Sequence, residues 1–345
     1  ISPLNNEYPM NKIIFSMLVF MIFSNLFAKT YYVSTGGSDL NNGTSDNSPF
    51  ASISKALSMV IPGDYIYVRG GTYYYSASLL ISKSGTLTDS CFLFSFPNER
   101  VILDFSGTTA GTRGVNLTGS YWRVRGFEIK KAGHDGMYVY TGGNNVIELC
   151  SFYENQNVGL RLGGGTHDNR IINCDAYLNA DPPDYGDADG FACALNVGTS
   201  NYFYGCRSWL NSDDGFDGYL RGADDVSTIY ENSWAWRNGY LRDGTDPGPQ
   251  ANGNGFKMGG SDEPRLLMHN CILRNCLAFD NKSRGFDQNA NRGNMILYNC
   301  TGYRNVGNNY GISSSVATGK IVEVKNCIAV DGKVSLGSFV VQSKN

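Results

Sequence analysis

Asn201-Tyr-Phe-Tyr-Gly-Cys206-Arg-Ser-Trp-Leu-Asn211-Ser-Asp213-Asp214-Gly215-Phe216-Asp217 contains two signals that recur along the chain. The first is an Asn, apolar residues, a Cys, an aromatic and a second Asn. It returns as Asn145 to Cys150 and Asn155, and as Asn169 to Cys174 and Asn179. Ser233 takes the Cys place before Trp236 and Asn238. Cys276 precedes Phe279 and Asn281, Cys300 precedes Tyr303 and Asn305, and Cys327 with Val330 is a weaker last copy. The second signal is a Gly followed by an apolar residue. It occurs at Gly136-Met137, Gly159-Leu160, Gly190-Phe191, Gly215-Phe216, Gly255-Phe256, Gly285-Phe286 and Gly311-Ile312, with successive gaps of 23, 31, 25, 40, 30 and 26 residues. A base period in the low to middle twenties with insertions fits one coil of an all-β, single-stranded parallel β-helix. A coil cannot bury its apolar face alone, so it stacks on its neighbours at roughly 4.8 Å per coil.

Stacking predicts columns of equivalent residues. Cys150, Cys174, Cys206, Cys276, Cys300 and Cys327, with Ser233 in the same row, form an inward column of free thiols. A disulfide framework is the competing reading of nine cysteines. Asn155, Asn179, Asn211, Asn238, Asn281 and Asn305 form a ladder at a turn, a structural role. Ile53, Ala56, Leu57 and Val60 have helical spacing within 51–60, and a short helix there caps the N-terminal end of the stack.

Composition agrees. Glycine is 42 of 345 residues and only 17% are charged, which excludes disorder, helical bundles and coiled coils. The net charge of −3 argues against nucleic acid as a partner. Residues 1–9 precede the first Met and read as upstream or appended sequence. Residues 10–28 read as a secretory leader, with Lys12 ahead of an apolar run over 13–23 and Ala28 at its end. The β-helix domain is then 29–345. Phe339-Val-Val lies near the last residue with no cap after it, so the sequence reads as a fragment there. A monomeric protein, secreted to the medium or the periplasm and free of membrane after leader removal, is expected.

The Gly marker also serves as a ruler. Two residues after it come Ala192, Asp217, Lys257 and Asp287; one residue before it come Asp189, Asp214, Asn254 and Arg284. Asp217 and Lys257 are 40 residues apart in sequence yet fall on neighbouring coils. Asp189, Asp213, Asp214 and Asp217 converge on one outer patch and repel unless a cation sits among them. All-oxygen ligands favour a hard cation, Ca²⁺ above Mg²⁺. Asp135 reads as an ordinary turn residue before Gly136. Lys257 lies in Asn252-Gly-Asn-Gly-Phe-Lys-Met-Gly-Gly260, whose glycines read as keeping the surface open. A cation that polarises a substrate carboxylate, beside a lysine able to take the adjacent proton, suits β-elimination on a polyuronate.

These motifs resemble polysaccharide lyase family nine. Asp187-Ala-Asp-Gly-Phe-Ala192, Ser212 to Asp217, Asn252 to Gly260 and Gly285-Phe-Asp-Gln-Asn289 carry the likeness, joined by Thr30-Tyr-Tyr-Val-Ser and Gly37 to Thr44. The resemblance implies a right-handed β-helix, a pectate or rhamnogalacturonan lyase activity and an acidic plant polysaccharide as substrate. It implies Asp189, Asp213, Asp214 and Asp217 as Ca²⁺ ligands and Lys257 as the base. Cys193-Ala194 departs from the family, where a Lys often follows, and leaves substrate choice open. Arg242, Arg284 and Arg292 are the candidate partners of substrate carboxylates. A glycoside hydrolase using two of the clustered Asp, and a non-catalytic carbohydrate-binding solenoid, are the competing functions.

Overall fold

The computed structural model describes residues 28–344, so residues 1–9 and all but the last residue of the expected leader lie outside the described residues. The described chain winds through three parallel sheets of twelve, ten and ten strands. One coil shows the plan. Asn201–Tyr204 enters the twelve-stranded sheet, Arg207–Trp209 the second and Phe216–Asp217 the third. Each pairs in parallel with its counterparts on the coils before and after.

The corners between strands require unusual backbone. Gly205 and Leu210 sit at φ 64 and φ 53, the left-handed region. The residue before each column Cys repeats this, and it is Asn at 173, 275, 299 and 326, the side chain best suited to that region.

The Asn ladder forms as expected. From Asn155 through Asn179, Asn211, Asn238 and Asn281 to Asn305, each Nδ2 donates to the next Oδ1 at 2.8–3.1 Å. The same oxygen also accepts the backbone N–H of the preceding ladder residue at 3.1–3.3 Å. A second, shorter ladder of Asn145, Asn169 and Asn201 is a feature the repeat contained unread. The marker glycines stand against the long ladder. A Cβ on Gly159, Gly190, Gly215 or Gly255 would lie 2.6–2.8 Å from the carbonyl oxygen of the next marker Gly and 2.8–3.0 Å from a ladder Nδ2. No side chain fits, so glycine marks this corner by steric need.

Inside, the residues after four marker glycines, Phe191, Phe216, Phe256 and Phe286, build an aromatic stack that Tyr310 continues, with successive ring centroids 4.6–5.3 Å apart. All nine cysteines are free and buried. Column thiols lie over backbone carbonyls of the preceding coil, as in Cys206 to Ile171 at 3.4 Å and Cys276 to Tyr230 at 3.5 Å. The helix spans Ile53–Met59, capped by the Ser52 hydroxyl, which accepts from Lys55 N at 3.1 Å. It buries Ile53, Ala56 and Leu57 against the first strands, closing the N-terminal end. Among the described residues no helix is long and apolar enough to cross a membrane.

Two outcomes are expected. Asn211→Ala removes three donated and two accepted hydrogen bonds from a fully buried site and should cost about 3 kcal/mol or more in urea unfolding. Burial pushes the Cys193 and Cys206 thiols up to about 12. A thiol-reactive chromophore should therefore label none of the nine cysteines of the native protein and all of them after unfolding.

Candidate active site

Strand pairing confirms the ruler from Gly136 to Gly285. At the last copy it fails: Gly311 pairs with Asp287, and Asn309 takes the place of the marker glycine there. The outward row reads Tyr138, Arg161, Ala192, Asp217, Lys257 and Asp287, one residue per coil. The residues before them, Met137, Leu160, Phe191, Phe216, Phe256 and Phe286, are all buried, so the row is held from behind. Asp213 and Asp214 come from the turn between ladder residue Asn211 and Gly215, and Asp189 from the same turn one coil earlier.

Asp189, Asp213 and Asp214 each place a carboxylate oxygen within 4.8 Å of the others. Asp217, the fourth expected ligand, is outside that convergent set and turns Oδ1 toward Lys257 Nζ at 3.4 Å. Lys257 Nζ also lies 3.1 Å from Asp214 Oδ2. Neighbouring amides fix the carboxylates. Asp214 Oδ1 accepts Asn254 N at 2.6 Å and Nδ2 at 2.9 Å, Asp213 Oδ1 accepts Asn252 N at 2.6 Å, and Asp189 Oδ1 accepts Asp214 N at 3.1 Å.

All four Asp are at most 8% exposed. Burial, then mutual repulsion, holds Asp189 and Asp213 well above the usual carboxylate range, and burial raises Asp214 too. Burial alone works to lower Lys257, but Asp217, Asp214, Asp213 and Asp189 override it and keep the ammonium well above its ordinary value. The donor set suits a hard divalent cation: it is all oxygen, three of its carboxylates converge, and buried Asp214 Oδ2 faces only the Lys257 ammonium among the described residues. Behind the row, buried His269 donates Nδ1–H to Gly218 O at 2.7 Å and accepts from Thr228 at Nε2 at 2.8 Å, tying down the residue after Asp217.

Asp189, Asp213, Asp217 and Lys257 line a groove of ≈ 430 Å³. Tyr219 forms part of its wall, its ring 5.4 Å from Lys257 Nζ and its hydroxyl on Asp262 at 2.7 Å. The three arginines expected to meet substrate do not line the groove. Arg242 is spent on Glu154 beside a separate depression, Arg284 on Asp287 at 2.6 Å, and Arg292 sits past the turn at Asn291. Arg113, Arg161 and Arg221 line it instead.

The glycines near Lys257 do not open the surface: a Cβ on Gly259 would strike Asn291 at 2.7 Å and one on Gly260 would strike Asn289 at 2.4 Å, both at positive φ. Asp135 is more than a turn residue. It is fully buried and ion-paired to Arg113 at 2.9 Å and Arg161 at 3.2 Å, with His134 Nδ1 at 3.2 Å. The ruler held this signal, since Asp135 stands one before Gly136 and Arg161 two after Gly159.

Known proteins give the same picture. A family model described as Pel9A-like, right handed beta helix region, matches residues 31–333. Pectate lyase L of Dickeya chrysanthemi is 37% identical over 330 residues, covering 92% of this chain and 75% of that protein. A crystal structure of pectate lyase Pel9A superposes with a TM-score of 0.83 at 36% identity, covering 91% of this chain and 78% of the other. A rhamnogalacturonan lyase structure follows at 0.77 and 27%, covering 92% and 87%.

Burial works to raise Asp135, but Arg161, His134 and Arg113 hold it down at about 2. A folded-state pKa below the unfolded value of about 4 gives stability that is present above pH 4 and lost as pH falls toward 2. The stability gap between wild type and Asp135→Asn, measured by urea unfolding, should therefore narrow by about 2 kcal/mol from pH 4 to pH 2.

Proposed function

Because the chain belongs to the Pel9A-like right-handed β-helix family, we propose that it is a secreted, Ca²⁺-dependent lyase that cleaves a pectic polyuronate by β-elimination. The coarse activity, lysis of a pectic polysaccharide, comes with the family. The finer reading rests on one observation: Lys257 Nζ stands 3.1 Å from Asp214 at the edge of three convergent carboxylates.

Asp189, Asp213 and Asp214, with Asp217 at their margin, are the residues that hold the ion. Bound Ca²⁺ supplies electron withdrawal from a substrate carboxylate, which acidifies the C5–H beside it. Lys257 takes that proton. The C5–H electron pair becomes the C4–C5 double bond, and the bond from C4 to the glycosidic oxygen breaks, its pair leaving on that oxygen, which takes a proton from water. A lysine surrounded by bare carboxylates stays protonated and is no base. Once the carboxylate charge is balanced, Lys257 loses the partners that raise it, and burial draws it toward neutrality. The four Asp thus set both the electrophile and the protonation state of the base. The working form is a monomer on an acidic plant polysaccharide outside the cytoplasm.

Purified polygalacturonan and rhamnogalacturonan, each with and without Ca²⁺, test this. Ultraviolet-absorbing unsaturated products should appear, vanish with chelator and return with added Ca²⁺. Lys257→Ala should lower kcat by about 10²–10⁴-fold. Full activity in that variant removes Lys257 as base. Saturated products point to hydrolysis, and pectin binding without cleavage to an adhesive module.

A further inference from the structure

The groove does not end at the Asp cluster. A depression of ≈ 410 Å³ continues from it at Arg113 and Tyr138 and passes along Asn116 and Tyr140 toward the N-terminal coils. The cluster end is strongly acidic. The other end carries two guanidinium groups against one carboxylate, Asp135, an excess of one positive charge before His134 is counted.

The arrangement of the two arginines is specific. Arg113 comes from the coil before Asp135 and Arg161 from the coil after it. Arg113 Nε binds Asp135 Oδ2 and Arg161 Nε binds Oδ1, so one buried carboxylate aims both forks. Arg113 is also stacked over Tyr138, its guanidinium carbon 4.3 Å from the ring centroid. Arg161 Nη2 donates to Asn157 at 2.7 Å. Among the described residues, Arg161 Nη1 and both Nη of Arg113 have no hydrogen-bond partner. A structural ion pair needs one arginine for one carboxylate. A second one, with its side chain 39% exposed to the groove, leaves donors and charge for something else.

Building on the polyuronate reading above, we propose that Arg113 and Arg161, aimed by Asp135, form a subsite for a substrate carboxylate on the N-terminal side of the Asp cluster. Arg161 lies three coils from Lys257 along the row, roughly 14 Å. The carboxylate it binds belongs to a different sugar from the one that loses its proton. The Tyr138 and Tyr140 rings flank the chain beyond it. Asp135 is a positioning residue here, and the arginines are the binding groups.

Lys257→Ala should slow turnover enough for binding of galacturonate oligomers, from dimer to octamer, to be measured by titration calorimetry in Ca²⁺. In that parent, affinity should step up once the oligomer is long enough to reach the arginines. Adding Arg113→Gln, on a partly exposed side chain, should remove the step and weaken binding of the long oligomers by about tenfold. Arg161→Lys keeps the charge beside Asp135 but loses the planar fork, and should remove part of the step. Long oligomers bound equally by parent, Arg113→Gln and Arg161→Lys would overturn the subsite. If wild type yields no unsaturated product from either pectic backbone, the lyase reading fails instead, a result independent of these titrations.

Discussion

The contact between the Asn ladder and the marker glycines governs the rest of the molecule. From Asn179 to Asn305 each ladder Oδ1 takes two donors, one from the backbone and one from a side chain of the neighbouring coil. Each marker Gly from Gly136 to Gly285 comes close enough to the next coil to exclude a Cβ. Coils therefore meet at one fixed height and one fixed register at this corner. The turn that carries Asp213 and Asp214 is strung between ladder residue and marker, and Asp217 follows in the short strand Phe216–Asp217. The geometry of the Asp cluster and Lys257 is thus inherited from a structural ladder. Buried amides in a fully satisfied chain of hydrogen bonds are rigid supports of this kind.

Charge along the groove is as ordered as its backbone. Carboxylates dominate where Lys257 stands, and guanidinium groups dominate toward the N-terminal coils. The lysine is held protonated by the carboxylates around it, so on the function proposed above ion binding and base activation are linked by electrostatics. Low exposure strengthens that linkage, because water screens little of it. His269 and Thr228 supply a neutral, saturated layer behind the row.

The repeat was legible because a β-helix repeats its sterics. Cys206, Asn211 and Gly215 each answer a local demand of the coil, and each demand recurs. The Asp cluster and Lys257 were legible through the same frame, since the 39 intervening residues vanish once Gly215 and Gly255 are aligned. Arg242, Arg284 and Arg292 carry a suitable charge near the motifs, but charge alone does not say which way a side chain leaves a coil. Asp287 and Glu154 claim two of them. Arg161 and Asp135 sat in the frame but on coils where no acidic neighbours drew attention. Arg113 precedes Gly114-Val115, an unrecognised copy of the marker. The packing of Gly259 and Gly260 depended on Asn291 and Asn289 from the following coil, a contact between different coils that no local pattern encodes.

The detour between Asp217 and Lys257 has a separate consequence. The two residues are register partners, yet the chain leaves and returns through long connections over 218–225 and 239–253. Doubling the length of such a connection costs only about 0.6 kcal/mol in closure entropy. Length changes in these segments therefore carry a small entropic cost, and the first of them supplies Tyr219 and Arg221 to the groove wall. The strand pairing of Asp217 with Lys257 beneath does not depend on their length. Diversification of what enters the cleft and preservation of what happens in it are evolutionarily separable, by virtue of how the coil is wound.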